Sequence, residues 1–345
     1  MKQNFFKTIL ACFGALICVQ GLFAQGTGVA DLTPAVEEAI DRGLNYLAET
    51  QKEDGSWSDG NKVAYTALSL IAFMVKGDMP EQPPHGDKMS KALDYLLKHS
   101  AEGRRGFMGT TMYEHAFATL ALSEVWGMSG RDKDVRQALL SGVDLIVRSQ
   151  GQNGAWTYNP SPSPSFGDIS VTGAQLVALA SAKEAGMFVP TETIDRAMKF
   201  IKFCHHKELG SFGYKGPGVG YARTALGLTS LIMCGQRDDP AVAAGLKWLQ
   251  ANADYKEPHG NQLYSRYYGG MALFQAGDEQ FNAFYEPLCD NILKTQKNDG
   301  NFHGGGGSPQ TSNFFFGAPH CFFSPFHKRN FLNIKPMTSH PSPAI

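Results

Sequence analysis

One pattern, repeated along the whole chain, limits the fold more than any other feature. A small residue, an apolar one, a variable one and two large apolar ones recur as GLNYL from Gly43, ALDYL from Ala92, GVDLI from Gly142, AMKFI from Ala197 and GLKWL from Gly245. A weaker sixth copy, CDNIL, starts at Cys289, and successive starts lie 49, 50, 55, 48 and 44 residues apart. A period of this size marks supersecondary units that cannot bury their apolar faces alone. Each copy sits in an amphipathic helical pattern, with charges on the opposite face. Thr33-Pro34 and Asp239-Pro240 each place a capping side chain before a proline suited to a first helical turn. A second kind of helix follows each of the first five copies: AYTALSLIAFMVKG, YEHAFATLALSEVWG, DISVTGAQLVALASAKEAG, GYARTALGLTSLIMCG and YYGGMALFQAG. These are apolar nearly all round, rich in alanine, glycine and threonine, and end in glycine, as helices buried on most sides do. Alternating half-exposed and buried helices predict an all-α fold in two concentric layers, an inner ring of parallel helices sheathed by an outer one.

A short motif joins the two kinds of helix. Gln51, Gly55 and Trp57 share their spacing with Gln150, Gly154 and Trp156, and with Gln296, Gly300 and Phe302. The carboxylates inside it change from copy to copy while the glutamine, the glycine and the ring do not, so it reads as a fastener rather than a catalytic element. Glycine supplies the turn, the aromatic packs against the neighbouring repeat, and glutamine hydrogen-bonds backbone groups left open at helix ends. His206, Gly210 and Phe212 form a further copy, which gives His206 a structural position. The run Cys204-His205-His206 is therefore not read as a metal cluster, since adjacent helical side chains point apart, and no metal or cofactor is expected.

Residues 1–24 read as a secretory signal: Lys2 and Lys7 precede an apolar run from Ile9 to Val19, too short to span a bilayer. The expectation is an exported protein, periplasmic or secreted, with no transmembrane segment in the mature chain. A formal charge of −1 and no basic face argue against nucleic acid as a partner. Four cysteines follow the signal, Cys204, Cys234, Cys289 and Cys321, at spacings that match no zinc framework. Buried free thiols are the expected state. Residues 25–320 read as one repeat domain and 321–345 as an irregular tail.

The glutamine–glycine–tryptophan repeats at this period resemble those of squalene–hopene cyclases and of the β subunits of protein prenyltransferases. That resemblance covers nearly the whole mature chain and implies an α/α toroid. For chemistry the chain departs from both. In the cyclases the middle aspartate of an Asp-x-Asp-Asp-Thr motif protonates a polyene. The matching stretch here begins at Asp168 and keeps Thr172, but Ser170 occupies the protonating position and Val171 the next. Serine is not the strong acid that step needs. Asp168 reads equally as a helix N-cap. The prenyltransferase zinc site needs an Asp-x-Cys, which does not occur, and the Gly-Cys-Gly-Glu-Gln signature of toroidal thioester proteins is absent as well.

If the inner helices run parallel, their N-termini form one rim carrying partial positive charge. The residues expected there are Asn61, Lys62, Tyr65, Tyr113, Glu114, His115, Asp168, Ser170, Tyr221, Arg223, Tyr264, Arg266, Tyr267 and Tyr268. Tyr65, Tyr113, Ser170, Arg223, Tyr264, Arg266, Tyr267 and Tyr268 are the ligand-binding candidates, and Asp168, Glu114, His115 and Arg223 the candidates for any catalysis. The proline-rich loop Asn159–Phe166 reads as a lid or as a spacer. Three functions stay open: a toroid binding an elongated apolar or isoprenoid-like ligand, or a partner; an enzyme of another type on this fold, terpenoid cyclase-like or a polysaccharide lyase; or a structural envelope protein with a filled cavity. At the end of the chain glycine and proline follow Thr311-Ser312 too early for a sixth inner helix. The expectation is a ring with five full hairpins and an incomplete sixth, prone to self-association through the gap.

Overall fold

A computed structural model of the chain describes residues 33–162, 167–253 and 262–301. All of these belong to one compact unit, Leu32–Ile345. The expected signal, the end of the proline-rich loop, Phe302, Cys321 and the expected gap in the ring lie outside the described residues. Eleven α-helices stand among the described residues, with one isolated bridge between His205 and Phe212 and no strand. The outer helices are α1 (Pro34–Thr50), α3 (Gly86–Glu102), α5 (Asp132–Ser149), α7 (Thr191–Phe203), α9 (Pro240–Ala251) and α11 (Asp278–Thr295); the inner ones are α2 (Lys62–Lys76), α4 (Met112–Val125), α6 (Ile169–Glu184), α8 (Tyr221–Met233) and α10 (Gln262–Ala276). Inner helices pack in series from α2 to α10, each is backed by outer helices, and α11 packs against α1. The protein is an α/α toroid.

Local chemistry starts the helices where the sequence places them. Thr33 accepts a bond from Val36 N–H at 3.4 Å, and Asp239 accepts one from Ala241 N–H at 2.9 Å, each with proline just inside the helix. The core is the contact between the two rings. Inner helices are buried along their length, for example from Thr66 to Val75 in α2 and from Thr224 to Met233 in α8. Cys204, Cys234 and Cys289 are buried and outside any disulfide among the described residues.

The fastener divides its work differently from the sequence reading. Gln51 Nε2 donates to Gly55 O at 3.0 Å, in its own turn, and to Lys88 O at 2.9 Å, on the next outer helix. Gln150 repeats this with Gly154 O and Thr193 O, both at 2.9 Å. Glutamine therefore crosses to the next repeat instead of closing the end of its own helix. The indole N–H groups bond within their own repeat. Trp57 Nε1 donates to Leu47 O at 2.9 Å and Trp156 Nε1 to Ile146 O at 2.8 Å, each ten residues back in the same outer helix, and both rings are fully buried.

Glycine is required at these turns for two reasons at once. Gly55, Gly154, Gly210 and Gly300 have φ of +84°, +85°, +81° and +83°, the left-handed region that L side chains avoid. An added Cβ would also meet a backbone carbonyl of the next outer helix: Lys91 at 2.3 Å, Arg196 at 2.2 Å, Ala244 at 2.7 Å and Arg42 at 2.1 Å. The last of these carries the chain back to its beginning. Gln296 Nε2 donates to Ala39 O at 2.6 Å, and Arg42 Nη2 donates to Gln296 Oε1 at 2.8 Å. The fastener after α11 thus closes the outer ring on α1. In the fourth copy His206 accepts from Leu209 N–H within its own turn, at 3.4 Å, so the junction there rests on Gly210.

A copy that the sequence reading missed lies at Glu102, Gly106 and Met108. It lacks both glutamine and ring, yet Gly106 keeps φ at +78° and abuts Ser141 of α5, and Met108 is fully buried.

Two glycines separate the backbone requirement from the close approach. Gly186 has φ +84° with nothing near its missing Cβ, whereas Gly154 has φ +85° against the Arg196 carbonyl. Gly186→Ala should cost about 1–2 kcal/mol in denaturant unfolding, the left-handed penalty alone. Gly154→Ala should cost clearly more, because α7 must shift as well. Equal losses would show that the carbonyl contact is not what fixes glycine there.

Candidate functional site: the N-terminal rim of the inner helices

The first two turns of the inner helices leave few side chains unburied. They are Lys62 and Tyr65 on α2, Tyr113 on α4, Ser170 on α6, Arg223 on α8 and, among the described residues, Arg266 on α10. The helices fold this way because an inner helix is apolar around most of its circumference, and buried polar side chains such as His115, Thr172 and Thr224 are satisfied by backbone groups. Lys62 pairs with Asp54 at 3.3 Å. Tyr113 and Tyr268 come together, hydroxyl to hydroxyl at 3.3 Å, from α4 and α10, which are not neighbours in the ring. That contact spans the inner face. Tyr267 and Tyr268 are themselves buried, and burial lowers the pKa of Arg266. Arg223 donates from Nη2 to its own Val219 carbonyl, and its buried Nε has no hydrogen-bond partner among the described residues. Tyr221 lies deeper; burial pushes its phenol up to about 12, and its hydroxyl has no hydrogen-bond partner among the described residues. The side chain of Tyr264 lies outside the described residues.

Two of the residues read for catalysis are engaged in the scaffold. Glu114 closes the N-terminus of α4: Thr111 accepts from Glu114 N–H at 3.3 Å, while Glu114 Oε2 accepts from Thr110 N–H at 2.7 Å and its hydroxyl at 2.5 Å. This is a capping box shifted by one residue. His115 is fully buried between two backbone groups, with Nδ1 accepting from Met108 N–H at 3.1 Å and Nε2 donating to Gly142 O at 3.1 Å. Both bonds need the neutral Nε2–H tautomer. Elsewhere threonine does the same work: Trp156 N–H donates to Thr172 Oγ1 at 3.1 Å and Phe212 N–H to Thr224 Oγ1 at 2.9 Å. His115 is the second repeat's substitute for that threonine.

Asp168 occupies a different setting. As N-cap of α6, its Oδ1 accepts from Ser170 N–H at 2.9 Å and Val171 N–H at 3.0 Å, and the residue is 3% exposed. Burial raises its pKa, against the lowering effect of the helix N–H groups, the Tyr214 hydroxyl and the charge of Lys215. Tyr214 hydrogen-bonds both Asp168 and Tyr158. With one proton each, Tyr158 donates to Tyr214 and Tyr214 to the carboxylate. The phenol pKa values of both tyrosines are raised, chiefly by burial and then by the nearby Asp168 charge. Sequence reading missed Tyr158, Tyr214 and Lys215. Their signal was available, since each tyrosine stands two residues after a fastener aromatic, Trp156 or Phe212. That position has a backbone duty: Tyr158 O accepts from Met112 N–H at 2.8 Å and Tyr214 O from Ile169 N–H at 2.9 Å, capping the inner helix of the preceding repeat.

Among the described residues no group of three or more His, Cys, Asp or Glu is placed to hold a metal, and no helix is long and apolar enough to cross a membrane.

No family model matches the chain. In sequence it is 22% identical over 269 residues to the squalene–hopene cyclase of Zymomonas mobilis, a match covering 71% of this chain and 35% of the cyclase. The chain thus spans about a third of the length of that relative. Among solved structures it is similar to an α-1,6-mannanase of Salegentibacter, with TM-score 0.63, 8% identity, and 83% of this chain and 99% of the mannanase covered. It is also similar to a type II terpene cyclase from Scytonema bound to merosterolic acid A, with TM-score 0.57, 14% identity, and 85% and 98% covered. At such identities these likenesses establish the fold alone: an all-helical α/α toroid. Within that class its repeat is similar to that of the squalene–hopene cyclase.

His115 gives the scaffold a measurable pH response. Burial holds its pKa down, from 6.5 to about 4, so between those values the unfolded chain binds a proton that the native one refuses. Its contribution is complete above pH 6.5 and is lost as pH falls towards 4. The slope should approach 1.4 kcal/mol per pH unit in that window. His115→Thr, which keeps an acceptor for Met108 N–H, should remove that component in urea titrations across the window. An unchanged slope would place the titrating group elsewhere.

Proposed function

We propose that the chain is an exported toroid that binds an elongated, mainly apolar ligand with an anionic head, without cyclase or prenyltransferase chemistry. Residues 1–24 direct its export, to the periplasm or beyond. The observation that carries the reading is the identity of the unburied side chains at the rim: Arg223 and Arg266, Tyr65 and Tyr113, and Ser170 where a cyclase would carry its proton donor. Two guanidiniums and a ring of helix N-termini favour negative charge. Phenol rings and the Ala/Leu-rich inner helices suit a hydrocarbon body. Ser170 and the N-cap bonds of Asp168 fit a site that binds rather than protonates. The similarity to a squalene–hopene cyclase and to a terpene cyclase holding a terpenoid product agrees with an isoprenoid-like ligand.

Farnesyl phosphate and farnesol test the reading by calorimetry. Arg223→Ala and Arg266→Ala should each weaken the phosphate by about 1.5–3 kcal/mol, the worth of a charge-assisted bond, and leave farnesol nearly unchanged. Equal losses for both ligands would make the arginines structural. Squalene offered to the purified protein should be recovered uncyclised; cyclic products that disappear in Asp168→Asn would restore an acid to the site.

A further inference from the structure

Large apolar side chains exposed to solvent are not spread evenly over the toroid. Five of the eight among the described residues, Tyr158, Phe203, Leu209, Tyr214 and Val219, lie in or beside the fastener turns after α5 and α7. Two of them, Tyr158 at 47% and Tyr214 at 39% exposure, are also members of the hydroxyl chain that ends on Asp168. Exposed aromatic rings are normally mobile. These are held at both ends, because their carbonyls cap α4 and α6 and their hydroxyls are linked to a buried carboxylate. The turn that carries Tyr214 is itself closed, with Gly213 N–H donating to Cys204 O at 2.9 Å and Ser211 Oγ to Gly218 O at 2.8 Å. A pre-positioned pair of this kind lowers the entropy cost of binding.

The chemistry of the pair narrows its ligand. A hydrocarbon would use the ring faces but not the hydroxyl chain. An anion meets Asp168. A cation meets Lys215, whose ammonium lies 5.7 Å from the Tyr214 ring centroid. The remaining class has apolar C–H faces and hydroxyls on one rigid body and carries no charge. We propose that Tyr158 and Tyr214 form a subsite for a neutral pyranose sugar, which stacks on the phenol faces and hydrogen-bonds to the hydroxyls that Asp168 orients. This subsite goes beyond the proposed ligand of Arg223 and Arg266 and does not depend on it.

The test uses the mature chain on an array of short neutral gluco-, manno-, galacto- and N-acetylglucosamine oligosaccharides, followed by calorimetry with the strongest of them. Binding is expected, with Tyr158→Ala and Tyr214→Ala each weakening it by roughly tenfold or more. Tyr214→Phe, which keeps the ring and cuts the link to Asp168, should fall between wild type and Tyr214→Ala. Thermal melting checks that the variants fold, and all three should bind farnesyl phosphate as wild type does. No binding to any oligosaccharide on the array would overturn the proposal. So would undiminished sugar affinity in folded Tyr158→Ala.

Discussion

The approach of a fastener glycine to a carbonyl of the next outer helix, made by four of the described copies, is the contact on which the ring depends. Gly55, Gly154, Gly210 and Gly300 hold nearly the same left-handed conformation against Lys91, Arg196, Ala244 and Arg42. In these four the partner is the following repeat, so the contact passes one geometry from repeat to repeat, and its last occurrence returns to α1. The inner helices depend on that return. A helix apolar on nearly every side has no stable exposed state, so it needs flanking inner helices and an outer sheath together. Glutamine reinforces the same step: Gln51, Gln150 and Gln296 each bridge their own turn and the next outer helix.

Polar groups at the rim divide between scaffold and open face. Burying a backbone N–H without a partner is costly, and the repeats satisfy those at the inner-helix entrances with a shared set of acceptors. Thr172, Thr224 and His115 serve the fastener backbone; Tyr158 O and Tyr214 O serve the inner-helix starts of the preceding repeats; Thr111 and Asp168 cap their own helices. Glu114 and His115 look like chemistry in a linear sequence, yet their hydrogen-bonding atoms meet this internal demand. The arginines, Ser170 and the tyrosines at 65 and 113 are the rim side chains that stay only partly buried.

A toroid that serves both a mannanase and a terpene cyclase does not decide its ligand by fold. In this chain the partly buried polar side chains of the rim lie at the inner-helix N-termini and in the turns beside them. Here that set combines cationic groups on α8 and α10 with a fixed phenol pair around Asp168.

The sequence by itself determined the helices, their two kinds, their order and the turn glycines. Each of those rests on local physics: 3.6-residue periodicity, capping side chains, and the freedom of glycine at positive φ. It also placed Arg223, Arg266, Tyr65, Tyr113 and Ser170 at one end of the inner helices, because a parallel ring makes that a matter of counting from each N-cap. Only the tertiary structure decided what the conserved-looking motif residues touch. Gln51 reaches Lys88, Gln150 reaches Thr193 and Gln296 reaches Ala39, partners 37, 43 and 257 residues away. The copy at Glu102, Gly106 and Met108 was hidden because the junction requires a glycine conformation and a buried side chain, and methionine meets that packing need without an aromatic ring. The Tyr158–Tyr214–Asp168 chain was hidden for the same reason. It joins neighbouring repeats through space, and no local propensity records a hydrogen bond between side chains that the fold alone brings together.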